Sequence, residues 1–263
     1  MPRSPATTPR HGLARVLSKL GACSRSQAER AVREGRVCVD GRPVRDPQWP
    51  TSPERHRITL DDVPVAAARR VYLALNKPRG VVTTAADERG RATVYDLLAA
   101  AGLPWLGPVG RLDKASEGLL LLSNDTAWAA ALTDPARHVD KTYHVQIDAV
   151  PDDTLLERLA SGVVEGGERL AAKRVVLLRR GEKHAWLEIV LDEGRNRHIR
   201  RLLAACGIGV LRLVRTAIGP LALGELPKGQ WRHLRPEEVD QLARAAGSAA
   251  KRREAWSTQA PVR

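Results

Sequence analysis

The sequence predicts an α+β protein in which a small helix-helix-hairpin domain precedes a larger domain with a mixed, mainly antiparallel sheet. Three observations lead to this class. Apolar residues recur at helical spacing near the N-terminus, valines then alternate around an Asp-Gly pair, and strand-like and helix-like segments follow at irregular intervals. A doubly wound fold would alternate strands and helices regularly and is disfavoured. The 263 residues suffice for two domains of unequal size.

The small domain is predicted from local signals. Apolar residues in Leu13–Leu20 have a helical period and predict the first helix. A Ser-x-x-Gln capping box opens a second helix over Ser24–Glu34, and Gly35 closes it as a left-handed residue. The segment Arg36–Val44 carries alternating valines around Asp-Gly and predicts a hairpin.

This small domain is also strongly basic. Residues 1–60 contain 12 Lys or Arg against 5 Asp or Glu, within a chain of net charge +13. Such an excess attracts polyanions, most simply the phosphates of a nucleic acid, although short basic helices are also commonly just solvated faces. The cations predicted to bind a nucleic acid here are Arg15, Lys19, Arg25, Arg30, Arg33 and Arg36.

The domain limits follow from composition. We expect a disordered tail over 1–10, the small domain over 11–62, a linker over 63–70, the large domain over 71–246 and a basic disordered tail over 247–263. The strands predicted in the large domain are Val71–Leu75, Leu119–Ser123, Thr142–Ile147, Trp186–Leu191 and Val210–Val214. The helices predicted there are Val94–Ala101, Thr154–Leu159, Asn196–Cys206 and Pro236–Ala246.

One carboxylate in the large domain stands out by its position. Asp113 lies in a loop bounded by Gly110 and Gly118, directly before a strand rich in leucine. Loops anchored on strands hold reactive groups well, so the residue is a candidate nucleophile or base. An ordinary loop aspartate that pairs with Arg111 or Lys114 would have the same local sequence.

Two further segments carry candidate site residues. In the segment Glu193–Leu203, four arginines within seven residues predict an anion site, because guanidinium groups bind phosphates or carboxylates through two parallel hydrogen bonds. A solvated helix face is the alternative. Tyr143 lies on a predicted strand, where its ring could stack on an extruded base or simply pack in the core.

Taken together, these segments resemble one family. The run Leu73–Val82, the Gly-Arg-Leu-Asp loop, the Lys-x-Tyr strand and Gly-Arg-Asn-Arg-His-Ile-Arg-Arg occur in the order typical of the ribosomal small-subunit (Rsu) family of pseudouridine synthases. The resemblance covers about residues 13–240, and residues 13–60 resemble the αL-type RNA-binding domain that is shared with a small-subunit ribosomal protein.

The resemblance implies an activity and roles for individual residues. The chain is expected to isomerise a uridine of ribosomal RNA, with Asp113 catalytic, Tyr143 packed on the target base and Arg200 paired with Asp113. Further RNA contacts are expected in the large domain from Lys77, Arg79, Arg111, Arg195, Arg197 and Arg201. Which uridine is modified stays open, as does whether the RNA is free or within a ribosome assembly intermediate.

The remaining expectations concern cofactors, partners and location. The isomerisation needs no cofactor, and the three separated cysteines form no metal-ligand pattern, so we expect neither cofactor nor metal. No apolar stretch approaches the roughly 18 residues of a membrane span, and we expect a cytoplasmic monomer. A non-catalytic RNA-binding assembly factor is the main alternative. A ribosomal RNA methyltransferase is a second alternative. It is disfavoured because this sequence has no glycine-rich loop of the kind that binds an adenosyl cofactor after a strand.

Overall fold

The computed structural model describes residues 11–85 and 87–247, in two compact units. The smaller unit contains the described residues up to Val71, together with Ala101–Gly107 and Ser123–Thr126. Hydrogen bonds tie these two segments into it: the Trp105 amide donates to the Gly21 carbonyl, and the Asn124 side chain accepts from the Val71 amide. The tails expected at the two ends lie outside the described residues, except for Gly247.

The smaller unit confirms the predicted helix-helix-hairpin. Its elements are β1 His11–Gly12, α1 Leu13–Lys19, α2 Arg25–Glu34, β2 Val37–Val39, β3 Arg42–Pro43, β4 Pro50–Thr51, β5 Ile58–Leu60 and β6 Val63–Pro64. Ser24 and Gln27 form the capping box of α2. The hairpin turn has positive φ at both Asp40 and Gly41, the geometry that favours Asp-Gly.

The larger unit is built around a nine-stranded sheet. Its elements are β7 Tyr72–Lys77, β8 Gly107–Val109, β9 Glu117–Ser123, α3 Thr126–Thr133, β10 Lys141–Ile147, α4 Asp153–Ser161, β11 Val163–Glu165, β12 Glu168–Leu170, β13 Arg174–Arg180, β14 Ala185–Leu191, α5 His198–Ala204, β15 Val210–Ile218, β16 Leu221–Ala222, β17 Trp231–His233 and α6 Pro236–Ala245. The strand order is β13-β14-β10-β15-β9-β7-β17, with β16 on β15 and β8 on β9. Strands β9 and β15 pair in parallel, whereas β10 pairs antiparallel with β14 and β15, and the pairs β13–β14, β15–β16 and β7–β17 are also antiparallel. This topology confirms the mixed, mainly antiparallel prediction.

Two apolar clusters hold the larger unit together. One joins α3 and α6 to strands β7 and β9 around the fully buried Trp128. The other joins α4 and α5 to strands β10, β14 and β15. A cavity can persist between these clusters, because the side chains of each cluster pack mainly against one another.

One helix prediction was wrong and one helix was missed. The predicted helix Val94–Ala101 consists of turns and a short 3₁₀ helix, Ala99–Ala101. The backbone there forms tight turns, because the Asp96 amide donates to the Thr93 carbonyl and the Leu98 amide to the Tyr95 carbonyl, each three residues back. The missed helix, α3, is rich in alanine and therefore lacks a polar face that would reveal its period.

Candidate active site

The Asp113 loop is fixed by backbone contacts on both sides. The Ser116 amide donates to the Asp113 carbonyl at 3.0 Å, and the Gly80 amide donates to the Lys114 carbonyl at 2.8 Å. The Thr83 hydroxyl donates to the Leu112 carbonyl at 2.9 Å. The Asp113 side chain is nevertheless 43% exposed, so a rigid loop presents an accessible carboxylate.

Lys77 stabilises this loop through buried hydrogen bonds. Its ammonium donates to the carbonyls of Ser116 at 2.8 Å and Pro78 at 3.0 Å, and no part of the residue is exposed. The expected RNA contact from Lys77 is therefore corrected, because a fully buried side chain cannot reach a phosphate. Burial lowers the pKa of Lys77 to about 8, although the nearby Asp113 and Glu117 act in the opposite direction.

This burial predicts a pH-dependent stability difference between the protein and Lys77→Met. Between pH 8 and pH 10.5, the folded protein has released the Lys77 proton while the unfolded chain still holds it. Raising the pH through this window therefore favours the folded protein but not the variant. Urea unfolding at pH 7.5 and pH 9.5 should show the free energy of unfolding rising for the protein relative to the variant. An unchanged difference would contradict a depressed Lys77 pKa.

The ion pair of Asp113 is with Arg197, not with Arg200 as expected. Arg197 Nη1 lies 3.7 Å from Asp113 Oδ2. Arg197 is the residue before α5 and has a positive φ of 49°. Arg200 lies one turn into the helix, and its guanidinium donates to the carbonyls of Ala115 at 3.2 Å and Val210 at 3.4 Å. Arg200 therefore anchors the Asp113 loop, whereas Arg197 balances the carboxylate charge.

A cavity of about 270 Å³ opens beside Asp113, between the two apolar clusters. Leu132 and Ile218 line it from one cluster, and Tyr143, Leu191 and Leu213 line it from the other. Its lining also holds six cations against the two carboxylates of Asp113 and Glu193. These cations are Arg111, Lys141, Arg195, Arg197, Arg200 and Arg215. The cavity thus combines apolar walls with positive charge, which suits a planar, anionic or carbonyl-bearing ligand.

Sequence reasoning overlooked Lys141 and Arg215 as cavity residues. Tyr143 on β10 is in register with Arg215 on β15, so the two side chains share one face of the sheet. Lys141 lies two positions before Tyr143 on the same strand. The Lys-x-Tyr spacing was therefore the available signal for Lys141, whereas the position of Arg215 depends on long-range strand pairing.

The other arginines predicted to bind RNA differ in their exposure and in their ion pairs. Arg79 and Arg111 are exposed. Arg195 instead pairs with Glu168 and Glu193, and Arg201 pairs with Glu165 and Glu168 of the hairpin β11–β12. These two arginines serve internal ion pairs in the structure.

The six predicted cations of the smaller unit are all exposed. Arg25 and Arg33 pair with Glu29, and Arg36 pairs with Glu34 and Asp61. Among the described residues, Arg15, Lys19 and Arg30 have no carboxylate within 4.0 Å.

Two features are absent from the part of the chain that the structure describes. Over 11–85 and 87–247, no three His, Cys, Asp or Glu side chains cluster as metal ligands would. No helix in the same ranges is long and apolar enough to cross a membrane.

Comparisons with known proteins agree along most of the chain. The model of the RNA pseudouridylate synthase family matches residues 71–205, and that of the S4 domain matches residues 12–54. An uncharacterized RNA pseudouridine synthase of Mycobacterium tuberculosis is 39% identical over 239 residues, 89% of this chain and 94% of that protein. The ribosomal large subunit pseudouridine synthase B of Bacillus subtilis is 35% identical over 233 residues, 88% of this chain and 94% of that protein. A crystal structure of a pseudouridylate synthase aligns with a TM-score of 0.61 at 29% identity, covering 89% of this chain and 100% of that one.

Proposed function

The chain belongs to the RNA pseudouridylate synthase family, and we propose that it converts a specific uridine of ribosomal RNA to pseudouridine with Asp113 as the catalytic residue. The observation that carries the role of Asp113 is its position: a rigid loop presents this accessible carboxylate at the mouth of a cavity with apolar walls and a cationic lining. The name of the B. subtilis relative supports ribosomal RNA as the substrate.

The reaction sets clear demands on the site. The bond between N1 and C1′ breaks, the uracil turns, C5 joins C1′, C5 loses a proton and N1 gains one. Asp113 acts in its ionised form, either by attacking C1′ or by removing the proton from C2′, and the Arg197 guanidinium balances its charge. Both routes conserve atoms and electrons without an added redox partner.

Entry of the base also has a physical basis in the chain. The uridine must leave its stack, which costs a few kcal/mol. The ring of Tyr143 offers a flat surface at the cavity wall on which the extruded base packs. Exposed cations such as Arg79 and Arg111 offset the cost by binding the neighbouring phosphates.

The proposal has a direct genetic test. A strain that lacks the gene should lose pseudouridine at one or a few positions of ribosomal RNA, and the wild-type gene should restore them. A gene that encodes Asp113→Asn should not. Full modification of ribosomal RNA in the deletion strain would refute the proposal, and restoration by the Asn variant would favour the non-catalytic assembly factor.

We further propose that α1 presents an RNA phosphate contact. Arg15 and Lys19 lie four residues apart on one face of α1, are exposed and lack carboxylate partners among the described residues. Replacing both with Gln should lower RNA affinity and reduce the slope of log K against log salt by about one to two, since each phosphate contact contributes about 0.7 to 0.9.

A matched control removes the same charge from the larger unit. Lys183 and Arg244 are exposed and do not line the cavity, so their replacement with Gln should leave the salt slope unchanged. Equal slopes for the protein and the Arg15, Lys19 variant would contradict the contact.

A further inference from the structure

Arg215 is a buried cation with no ion-pair partner in the described part of the chain. Only 5% of the residue is exposed. Its Nε donates to the Leu119 carbonyl at 2.7 Å, while its Nη2 is buried without a hydrogen-bond partner among the described residues. A buried guanidinium group that lacks a counter-charge is unfavourable, so such a group marks a position that a ligand completes.

Lys141 adds a second cation to the same place. It lines the same cavity and lies close enough to Arg215 for burial and the Arg215 charge to lower its pKa. Two carboxylates, Asp140 and Asp192, lie nearby and raise the pKa, but Asp140 is bound to Lys173 and Asp192 to His138. Among the described residues, no carboxylate lies within 4.0 Å of Lys141 or Arg215.

Buried carboxylates elsewhere in the larger unit pair with cations, and the buried Lys77 donates to two carbonyls. Glu117 is held by Arg212 and Lys228, and Glu238 by Arg232 and Arg235. Arg215 differs from these groups, because its Nη2 is buried without a hydrogen-bond partner among the described residues.

We propose that Lys141 and Arg215 form a cationic subsite that binds a carbonyl oxygen of the target uracil and stabilises negative charge on the ring while the glycosidic bond is broken. This inference rests on the proposed function. When the N1–C1′ bond breaks, its electron pair stays with uracil, and the resulting charge spreads from N1 onto the ring carbonyl oxygens. A buried donor aimed at such a charge is worth far more than one in water.

The geometry favours the base over a phosphate as the ligand. Arg215 is in register with Tyr143, so a ring that packs on the tyrosine lies beside the guanidinium group. A phosphodiester is tethered to nucleotides on both sides, whereas the base alone can enter a buried position. The exposed Arg79, which does not line the cavity, is available to a phosphate elsewhere.

The test compares two leaving groups under single-turnover conditions. Arg215→Gln should slow isomerisation of a uridine RNA on the order of 10²-fold or more, with RNA affinity within about twofold. With 5-fluorouridine at the target position, the rate of glycosidic cleavage should fall much less, because fluorine already stabilises the departing uracil anion. Arg174→Gln, which removes an exposed guanidinium outside the cavity, should leave both rates unchanged.

Lys141→Met is a second variant, and it leaves the hydrogen bond from Arg215 to the Leu119 carbonyl in place. Removing the ammonium relieves its repulsion with Arg215, so the variant should unfold at a higher temperature while its rate with uridine falls on the order of tenfold. A merely structural lysine would lower both stability and rate.

The outcomes separate this inference from the proposed function. If the wild-type protein forms no pseudouridine, the proposed function fails. If that protein is active and both variants retain its rate, only the subsite fails. Equal losses with uridine and 5-fluorouridine would overturn the charge-stabilising role, and a loss confined to RNA affinity would place a phosphate there instead.

Discussion

Replacing Asp113 with asparagine should lower the rate of pseudouridine formation on the order of 10³-fold or more. Asparagine keeps the size of the side chain but neither attacks C1′ nor accepts the C2′ proton. The loop is held by the backbone groups of Asp113, Lys114 and Ser116, which the substitution leaves in place. Single-turnover rates on an RNA with one labelled uridine measure the effect.

The same variant should keep its fold and its RNA affinity. The only ion pair of Asp113 in the described residues is exposed and 3.7 Å long, and such pairs contribute about 0 to 1 kcal/mol. Asp153→Asn, a change at an exposed aspartate outside the cavity, serves as the control and should retain full activity. A turnover rate of Asp113→Asn close to that of the control would remove Asp113 from the mechanism.

Gly118→Ala should destabilise the larger unit by about 3 kcal/mol or more. Gly118 has a φ of 100°, and a Cβ there would clash with the Arg215 carbonyl oxygen and lie 2.8 Å from the Arg215 amide nitrogen. This close approach belongs to the parallel β9–β15 pairing. A methyl group must push the strands apart, and the shift would reach Asp113 because β9 follows its loop directly.

Gly80→Ala is the matched control for this effect. Gly80 has a similar φ of 94°, but a Cβ there meets nothing within 4 Å. Its substitution therefore carries only the backbone penalty, about 1 to 2 kcal/mol. Equal losses of unfolding free energy in the two variants, measured with urea, would show that the contact with Arg215 is unimportant.

The features predicted correctly from sequence are those decided over a few residues. The capping box of α2 and the Asp-Gly turn depend on neighbours in the chain, and both have the expected geometry. The glycine-bounded loop around Asp113 likewise identified an accessible carboxylate before a strand. Strand positions followed from apolar patterning, because alternation and leucine runs report burial directly.

The features that sequence reasoning missed depend on tertiary contacts. Lys77 looked like a surface cation, yet carbonyls from its own turn and from the Asp113 loop bury it. The choice of Arg197 over Arg200 for the ion pair depends on where α5 begins. The position of Arg215 beside Tyr143 requires the β10–β15 register, which no local pattern encodes.

The most direct test of the central claim is isomerisation by the purified protein alone. Ribosomal RNA transcribed without modifications and carrying tritium at C5 of uridine should release tritium on incubation with the protein and no added cofactor. One or a few defined uridines should then be detected as pseudouridine. If neither small-subunit nor large-subunit ribosomal RNA released tritium while RNA binding was intact, the claim would be contradicted. The chain would then be an RNA-binding protein without this activity.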